Sequence, residues 1–360
     1  MSRTFQPFDP TPAGKGLRPT ASLSRRNLLG GAMGLGTAFL LQACSNPDNQ
    51  APAASGTGSA ATTASAFPVT LQHAFGSTVV PAPPKRIACV GLTEHDAVLA
   101  LGMTPVAVTE WFGEFPYATW PWAKDMLGDA KPEVLSMADG IQIERVAQLA
   151  PDLILGTNAG LDEAVYKNLS AIAPTLAQSG EKLAYFEPWR DQSTAIGKAL
   201  GKDGEMQELI QGVEDTYAAA AAEHPKFKGK NVVLLANDFV DGNIYAYQEG
   251  LSTQLLLDLG LQIAPVVKKY ATDESTAFIP KEDLVDALQT ADVVIWLTGD
   301  DANRDMLLAD PIVQALRSTK EDRNIFTGLE LGGAMNFTTV LSLPYVAKTL
   351  VPLLADVLDR

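Results

Sequence analysis

Short apolar segments alternate with amphipathic segments through most of this chain, and this alternation limits the folds that it can adopt. The strand candidates in the first half are 86–92, 105–111, 151–157 and 183–187. The helix candidates between them are 94–101, 141–149 and 161–172. Because strands and helices alternate, we expect a mostly parallel sheet that is covered on both faces.

The same alternation begins again in the last third of the chain. Its strand candidates are 231–237, 243–248, 291–298 and 324–329, and its helix candidates are 252–259, 281–288, 303–317 and 346–358. The segment 189–224 between the halves has apolar residues at helical spacing and breaks near Gly201 and Gly204. We therefore expect an N-terminal α/β lobe at 67–188, a connecting helix at 189–224 and a C-terminal α/β lobe at 225–360. Ligands of such sheets bind beyond the carboxyl ends of the strands, so two facing lobes predict a cleft.

The first 66 residues have a different composition. Arg25 and Arg26 precede a short apolar segment, 28–41, and paired arginines in this position indicate a twin-arginine export signal. The motif LQAC at 41–44 fits a lipobox, in which the Cys44 thiol takes a diacylglycerol and the chain is cut before it. We expect a twin-arginine lipoprotein signal peptide at 1–43 and a lipidated disordered linker at 44–66, which is rich in alanine, glycine, serine and threonine.

Charge and cysteine content limit the possible partners. The whole chain has a net charge of −15, and removing 1–43, with its five basic residues and one acid, leaves −19. So acidic a chain does not attract nucleic acid or anionic lipid, and attachment to a membrane depends on the lipid on Cys44. The expected location is the outer face of the cytoplasmic membrane. Cys89 then has no partner for a disulfide, and we expect it to be a buried thiol.

Five segments resemble the substrate-binding lipoproteins of iron–siderophore ABC importers, which are related to vitamin B12 and haem binders. They are PKRI at 84–87, LGMTPVAV at 101–108, IERVAQLAPDLIL at 143–155, DVVIW at 292–296 and LSLPY at 341–345. The resemblance covers 67–360 and implies a class III periplasmic binding protein fold, with two Rossmann-like lobes joined by a single long helix. It also implies a monomer that captures a ferric siderophore and delivers it to an ABC permease dimer with its ATPase.

The family presents one docking carboxylate on each lobe, and these carboxylates pair with arginines of the permease. Glu144 matches the first-lobe carboxylate within its motif. In the second lobe, leucines occupy the usual glutamate region of the matching helix, 250–260, so Asp258 or Glu249 is the candidate. Solvated arginine–carboxylate pairs can steer docking without making it irreversible.

Candidate ligand contacts come from both lobes. Trp111, Tyr117 and Trp120 belong to an aromatic cluster that begins where the second strand should end. Such rings can cover a bulky chelate, or they can pack against each other as core. The second-lobe candidates are Tyr245 and Tyr247 on one face of a strand, Trp296 near a strand end, Arg304 after it, and Met335 and Asn336 in a glycine-rich loop. Arg304 and Arg190 would suit an anionic siderophore.

Histidines do not form a metal site in this sequence. Thr93 and Asp96 have capping-box spacing at the start of a predicted helix, which predicts local capping. His95 lies between them, but His73, His95 and His224 are not spaced as metal ligands. We therefore expect neither a cofactor nor a protein-bound metal, and iron would arrive already chelated.

Other classes remain open at this point. An enzyme is disfavoured because the sequence has no nucleophile elbow, phosphate-binding loop or HExxH motif. A haem or cobalamin binder of the same fold is an alternative, as is a surface sensor that works without a transporter.

Overall fold

The computed structural model describes residues 67–180, 185, 187–273 and 275–360. The expected signal peptide, the linker and Cys44 lie outside the described residues, as does most of the predicted strand at 183–187. Within these ranges, no helix is both long enough and apolar enough to cross a membrane.

A hairpin precedes the first lobe. Strands β1 (Val69–His73) and β2 (Gly76–Val80) pair antiparallel. The Thr78 hydroxyl donates to the Thr175 carbonyl at 2.6 Å, which ties the hairpin to the sheet of the first lobe. The sequence analysis did not predict this hairpin.

The first lobe contains a five-stranded parallel sheet, as the alternation predicted. Its strands are β3 (Ile87–Cys89), β4 (Ala107–Thr109), β5 (Glu133–Leu135), β6 (Leu153–Gly156) and β7 (Thr175–Ala177), in the spatial order β5-β4-β3-β6-β7. Its helices are α1 (Glu94–Ala100), α2 (Lys124–Leu127), α3 (Ile143–Gln148) and α4 (Glu163–Ser170). Strands β3, β4, β6 and β7 are buried along their whole length, which explains their continuous apolar sequence.

The segment 189–224 contains two helices, and the chain breaks near Gly201, as the sequence indicated. Helix α5 (Trp189–Ala199) packs on α1 and β1, whereas α6 (Asp203–Glu223) is the long connecting helix. The chain turns at Gly201, which has a φ of +68°. A Cβ there would lie 2.4 Å from the Phe67 ring, so only glycine fits this turn without a shift.

The second lobe contains a mixed sheet. Its strands are β8 (Asn231–Val240), β9 (Asn243–Tyr247), β10 (Gln262–Ile263), β11 (Thr276–Pro280), β12 (Val293–Trp296) and β13 (Asn324–Phe326). The order is β11-β9-β8-β12-β13, with β10 paired to the start of β8. Strand β9 runs antiparallel to both of its neighbours, and β12 runs parallel to β8 and β13.

Seven helices follow along the described part of this lobe. They are α7 (Gln254–Asp258), α8 (Leu284–Ala287), α9 (Asp301–Ala309), α10 (Pro311–Ala315), α11 (Arg317–Lys320), α12 (Gly328–Phe337) and α13 (Ser342–Leu358). The helix predicted at 303–317 is divided in two because Asp310 caps α10, whose first residue is Pro311.

The glycine-rich segment that carries Met335 and Asn336 lies within helix α12, and its prediction as a loop is wrong. Gly333 is explained by close packing on the first lobe. A Cβ at Gly333 would lie 2.3 Å from the Trp120 ring, so glycine allows the helix to approach the indole directly.

Cys89 is buried and free within the described residues. Burial is the main cause that raises the pKa of its thiol, and the Glu94 and Asp96 carboxyls add to the shift. The thiol therefore stays protonated, which agrees with the expected structural role.

Candidate functional site

In the sheet of the first lobe, β4 and β5 lie on one side of β3 and β6 and β7 lie on the other, so the strand order reverses between the neighbours β3 and β6. Ligand sites of open α/β sheets lie at this switch point, beyond the carboxyl ends of the strands. The Glu94 side chain occupies this switch point. Its Oε1 accepts from the Asn158 amide at 2.6 Å and from the Thr157 hydroxyl at 3.1 Å, and its Oε2 accepts from the Thr93 amide at 3.1 Å. A Cβ at Gly91 would lie 2.0 Å from this carboxylate, so glycine makes room for it.

The capping-box prediction for Thr93 and Asp96 is wrong, because both side chains have other partners. Thr93 makes no side-chain cap bond; its hydroxyl lies 3.3 Å from Oε1 of Gln192 on α5. The Asp96 carboxylate points away from its own helix. Its Oδ2 accepts from the Trp122 indole at 2.9 Å and from the Thr339 hydroxyl at 2.5 Å.

The Asp96 contacts join the first lobe to the segment between α12 and α13. Asp96, Thr339 and His95 are all buried. His95 Nε2 lies 3.7 Å from Asp96 Oδ1, and within the described residues neither ring nitrogen of His95 has a hydrogen-bond partner. Burial raises the pKa of Asp96, although His95 and the two hydrogen bonds oppose this shift. We call this group of residues, with Trp122, the interlobe junction.

Aromatic rings surround the same junction. Phe337, the last residue of α12, lies in a cage formed by four rings of the first lobe. The centroid distances to Phe337 are 5.2 Å for Trp111, 6.0 Å for Phe112, 5.4 Å for Trp120 and 5.3 Å for Trp122. Each such pair contributes about 0.5–1.5 kcal/mol beyond its buried area. The aromatic cage therefore holds the two lobes together.

The cage changes the interpretation of the predicted aromatic ligand contacts. Trp120 is 1% exposed and packs against Trp122 and Phe337, so its ring is part of the interlobe core. Trp111 and Tyr117 are only half-buried and keep surface on the loop that follows β4. Tyr117 has a φ of +58°, and Glu114 and Ala118 are also left-handed, a strained backbone of the kind found at functional loops.

Two of the predicted second-lobe contacts do not reach a surface. Trp296 is fully buried in β12, where its indole donates to Asn324 Oδ1 at 3.2 Å. Met335 is 1% exposed because it lies on the buried face of α12. Asn336 is half-buried and donates to the Gly332 carbonyl one turn earlier.

The two tyrosines of β9 share one face, as their alternation indicated. Tyr245 and Tyr247 are half-buried, whereas Ile244 and Ala246 on the opposite face are fully buried. The Tyr245 ring lies 4.0 Å from the Phe278 ring on β11. Burial is the main cause that raises the pKa of Tyr247 to about 12, so its hydroxyl stays protonated at neutral pH.

The predicted arginines are already paired within the chain. Arg304 lies 2.8 Å from Asp301 and 2.9 Å from Asp305, both exposed. Arg190 bonds to Glu214 at 2.6 Å and lies 3.7 Å from Asp258.

The two docking candidates differ in their surroundings. Glu144 is exposed in the first turn of α3, and its neighbour Arg145 pairs with Glu133 at 2.6 Å instead of with Glu144. Asp258 is half-buried beside Arg190 and accepts from Gln254 at 2.9 Å. Both assignments stay predictions, and Glu144 has the more accessible carboxylate.

Residues 87–329 match the model of the periplasmic binding protein family, and the chain belongs to this family. Its two α/β lobes and connecting helix have the class III form of that fold. Within the described residues, no group of three or more His, Cys, Asp or Glu side chains could hold a metal ion.

Solved structures and curated proteins similar to this chain are known. A periplasmic solute binding protein from Mycobacterium smegmatis is 48% identical, with a TM-score of 0.76 over 81% of this chain and 98% of that chain. PiaA from Streptococcus pneumoniae, solved with ferrichrome, is 27% identical, with a TM-score of 0.67 over 81% and 98%. The Bacillus subtilis protein named "Probable siderophore-binding lipoprotein YfiY" is 37% identical over 144 residues, which are 39% of this chain and 41% of that protein.

Burial of His95 makes the stability of the protein depend on pH. Burial is the main cause that lowers the pKa of His95 from its ordinary 6.5, and the nearby Asp96 opposes the shift. The unfolded chain therefore takes up a proton that the folded protein resists, and the contribution of His95 to the unfolding free energy is lost progressively as the pH falls below 6.5. We expect His95→Phe to lack this loss, at most about 1.4 kcal/mol per pH unit.

Urea unfolding of the mature chain, between about pH 7.5 and about pH 5.5, measures the effect. The unfolding free energy of His95→Phe relative to the wild type should increase as the pH falls. If the unfolding free energies of the wild type and His95→Phe differed by the same amount at every pH, the assignment of a buried, neutral His95 would be contradicted.

Proposed function

We propose that this protein is the extracytoplasmic substrate-binding component of an ABC importer and captures a ferric siderophore between its two lobes. The observation that carries the proposal is the match to the ferrichrome-bound PiaA structure, which extends over 98% of that chain. The strand-end geometry supports it, because the carboxyl ends of both sheets lead into the segments on which the lobes meet. Family members are binding proteins, which argues against an enzymatic function.

We assign the ligand contacts to half-buried aromatic residues from both lobes. Trp111 and Tyr117 come from the loop after β4, and Tyr245 and Tyr247 come from β9. These rings combine apolar surface with a polar edge, which suits the organic shell of an iron chelate. Trp120, Trp296 and Met335 support the site from within the core.

Membrane attachment through Cys44 and export through the twin-arginine route complete the proposal. The name of the YfiY relative, a lipoprotein, supports the anchor. We further propose that Glu144 docks on an arginine of the permease dimer, since its carboxylate is exposed and is not paired with Arg145.

A titration followed by tryptophan fluorescence tests ligand binding. Ferric hydroxamate, ferric catecholate, ferric citrate, haem and cobalamin are added separately to the mature chain. We expect at least one ferric siderophore to bind with a micromolar or lower Kd, and Trp111→Phe to weaken it by about tenfold. Trp189→Phe is the matched control, because Trp189 is buried under Arg190 in α5 and should leave the Kd unchanged.

Binding of haem or cobalamin without binding of any ferric siderophore would contradict the proposed substrate. Equal loss of affinity in Trp111→Phe and Trp189→Phe would contradict the assigned site.

Uptake of ferric siderophore by whole cells tests the anchor and the docking residue. Cys44→Ser should move the protein from the membrane fraction to the soluble fraction, because the lipid attachment is lost. Glu144→Ala should lower uptake while the Kd of the purified chain stays the same. Glu163→Ala, also exposed in the first turn of a first-lobe helix, is the control and should transport normally. Unchanged uptake in Glu144→Ala would contradict the docking assignment.

A further inference from the structure

The charge of the strand-end segments restricts which iron chelate they can accept. The central strands β3, β4, β6 and β12 lead at their carboxyl ends into segments 90–96, 110–120, 157–162 and 297–305, and segment 236–242 is the carboxyl end of β8 with the turn after it. The acidic residues of these segments are Glu94, Asp96, Glu110, Glu114, Asp162, Asp238, Asp241, Asp300, Asp301 and Asp305. Their single basic residue is Arg304. Eight of these acids remain when the buried Glu94 and Asp96 are left aside.

Two described basic side chains near these segments are neutralised by acids of the same chain. Arg304 is held by Asp301 and Asp305, at 2.8 and 2.9 Å. Lys281, which follows β11, pairs with Asp310, and its ammonium lies 4.6 Å from the centroid of the Phe239 ring on β8. An anionic ligand would have to break one of these pairs to gain a salt bridge with Arg304 or Lys281.

The loop after β4 places negative charge beside the assigned ring of Trp111. Glu110 is half-buried and Glu114 is exposed, and both belong to the same loop. Burial is the main cause that raises the pKa of Glu110; a hydrogen bond from the Glu114 backbone opposes this shift, and repulsion from the Glu114 carboxylate adds a smaller upward contribution. A positive group of a ligand beside Trp111 would be attracted by the negative charge of this loop, whereas an anionic group would be repelled.

The chemistry of iron chelation relates the negative charge of these segments to a class of ligand. Three hydroxamates each carry one negative charge and together balance Fe³⁺, so the iron centre of a trihydroxamate is neutral. Three catecholates each carry two negative charges, so their ferric complex carries three. We infer that the ligand of this cleft is a ferric chelate of zero or positive net charge, of the trihydroxamate class. The inference rests on the proposed function and replaces the expectation that an arginine receives an anionic siderophore.

In a series of ferrioxamines, the charge of the terminal group can be varied while the iron centre stays the same. Ferrioxamine B carries a terminal ammonium, its N-acetyl derivative is neutral there, and its N-succinyl derivative carries a carboxylate. The mature chain is titrated with each by calorimetry, and a ferric triscatecholate is titrated alongside. We expect the Kd to increase in the order ammonium, acetyl, succinyl, with about tenfold between the first and the last, and the difference to shrink in high salt through screening.

A double variant tests whether the loop after β4 causes the difference in affinity between the ammonium and succinyl derivatives. Glu110→Gln with Glu114→Gln should reduce the ammonium-to-succinyl ratio by about threefold. Glu208→Gln with Glu223→Gln, which neutralises two exposed acids of α6, is the matched control and should preserve the ratio.

The outcomes separate the inference from the proposed function. Binding of the triscatecholate or of the succinyl derivative as tightly as ferrioxamine B would overturn the inference and leave the proposed function standing. Failure of every ferric chelate to bind would overturn both.

Discussion

The buried carboxylate of Asp96 is the interaction on which the arrangement of the lobes depends. It receives one hydrogen bond from the loop after β4, through Trp122, and one from Thr339 beyond α12. A buried carboxylate is costly unless its hydrogen bonds are satisfied, so each of these contacts favours the joined arrangement over a separated one. Phe337 adds apolar contact at the same place by filling the aromatic cage.

This junction also explains why the predicted aromatic cluster has two roles. Trp122 belongs to the junction and Trp120 stacks on it, both rings pack against Phe337, and Gly333 lets α12 approach Trp120. Trp111 also contacts Phe337 but keeps surface. A rigid set of rings therefore positions the ring that we assign to the ligand, which reduces the side-chain entropy lost on binding.

The sequence predicted what depends on local pattern. Strands buried on both faces, such as β6 and β12, are apolar without interruption, so both sheets and their alternating helices could be recognised. The β1–β2 hairpin and the short strands β5 and β7 were missed because three to five residues carry little periodicity. The break near Gly201 was indicated by the glycines there, whereas the division of the helix predicted at 303–317 follows from a single turn at Asp310–Pro311.

The interlobe junction could not be predicted, because no local signal reports it. Asp96 and Thr339 are 243 residues apart in the chain, and Asp96 has the spacing of a capping residue. Phe337 follows a glycine-rich segment that is typical of a loop, and only the approach of Trp120 explains why the segment is helical. Tertiary contacts overrode local propensity at both positions.

Hydrogen exchange of the mature chain, free and saturated with a ferric siderophore, tests most directly that the ligand lies between the lobes. Slower exchange should occur in the loop after β4, at 110–120, and also in the second lobe at 243–247 and 297–300. The β1–β2 hairpin, at 69–80, should exchange equally in both states. Protection confined to one lobe, or protection of the hairpin alone, would contradict an interlobe site.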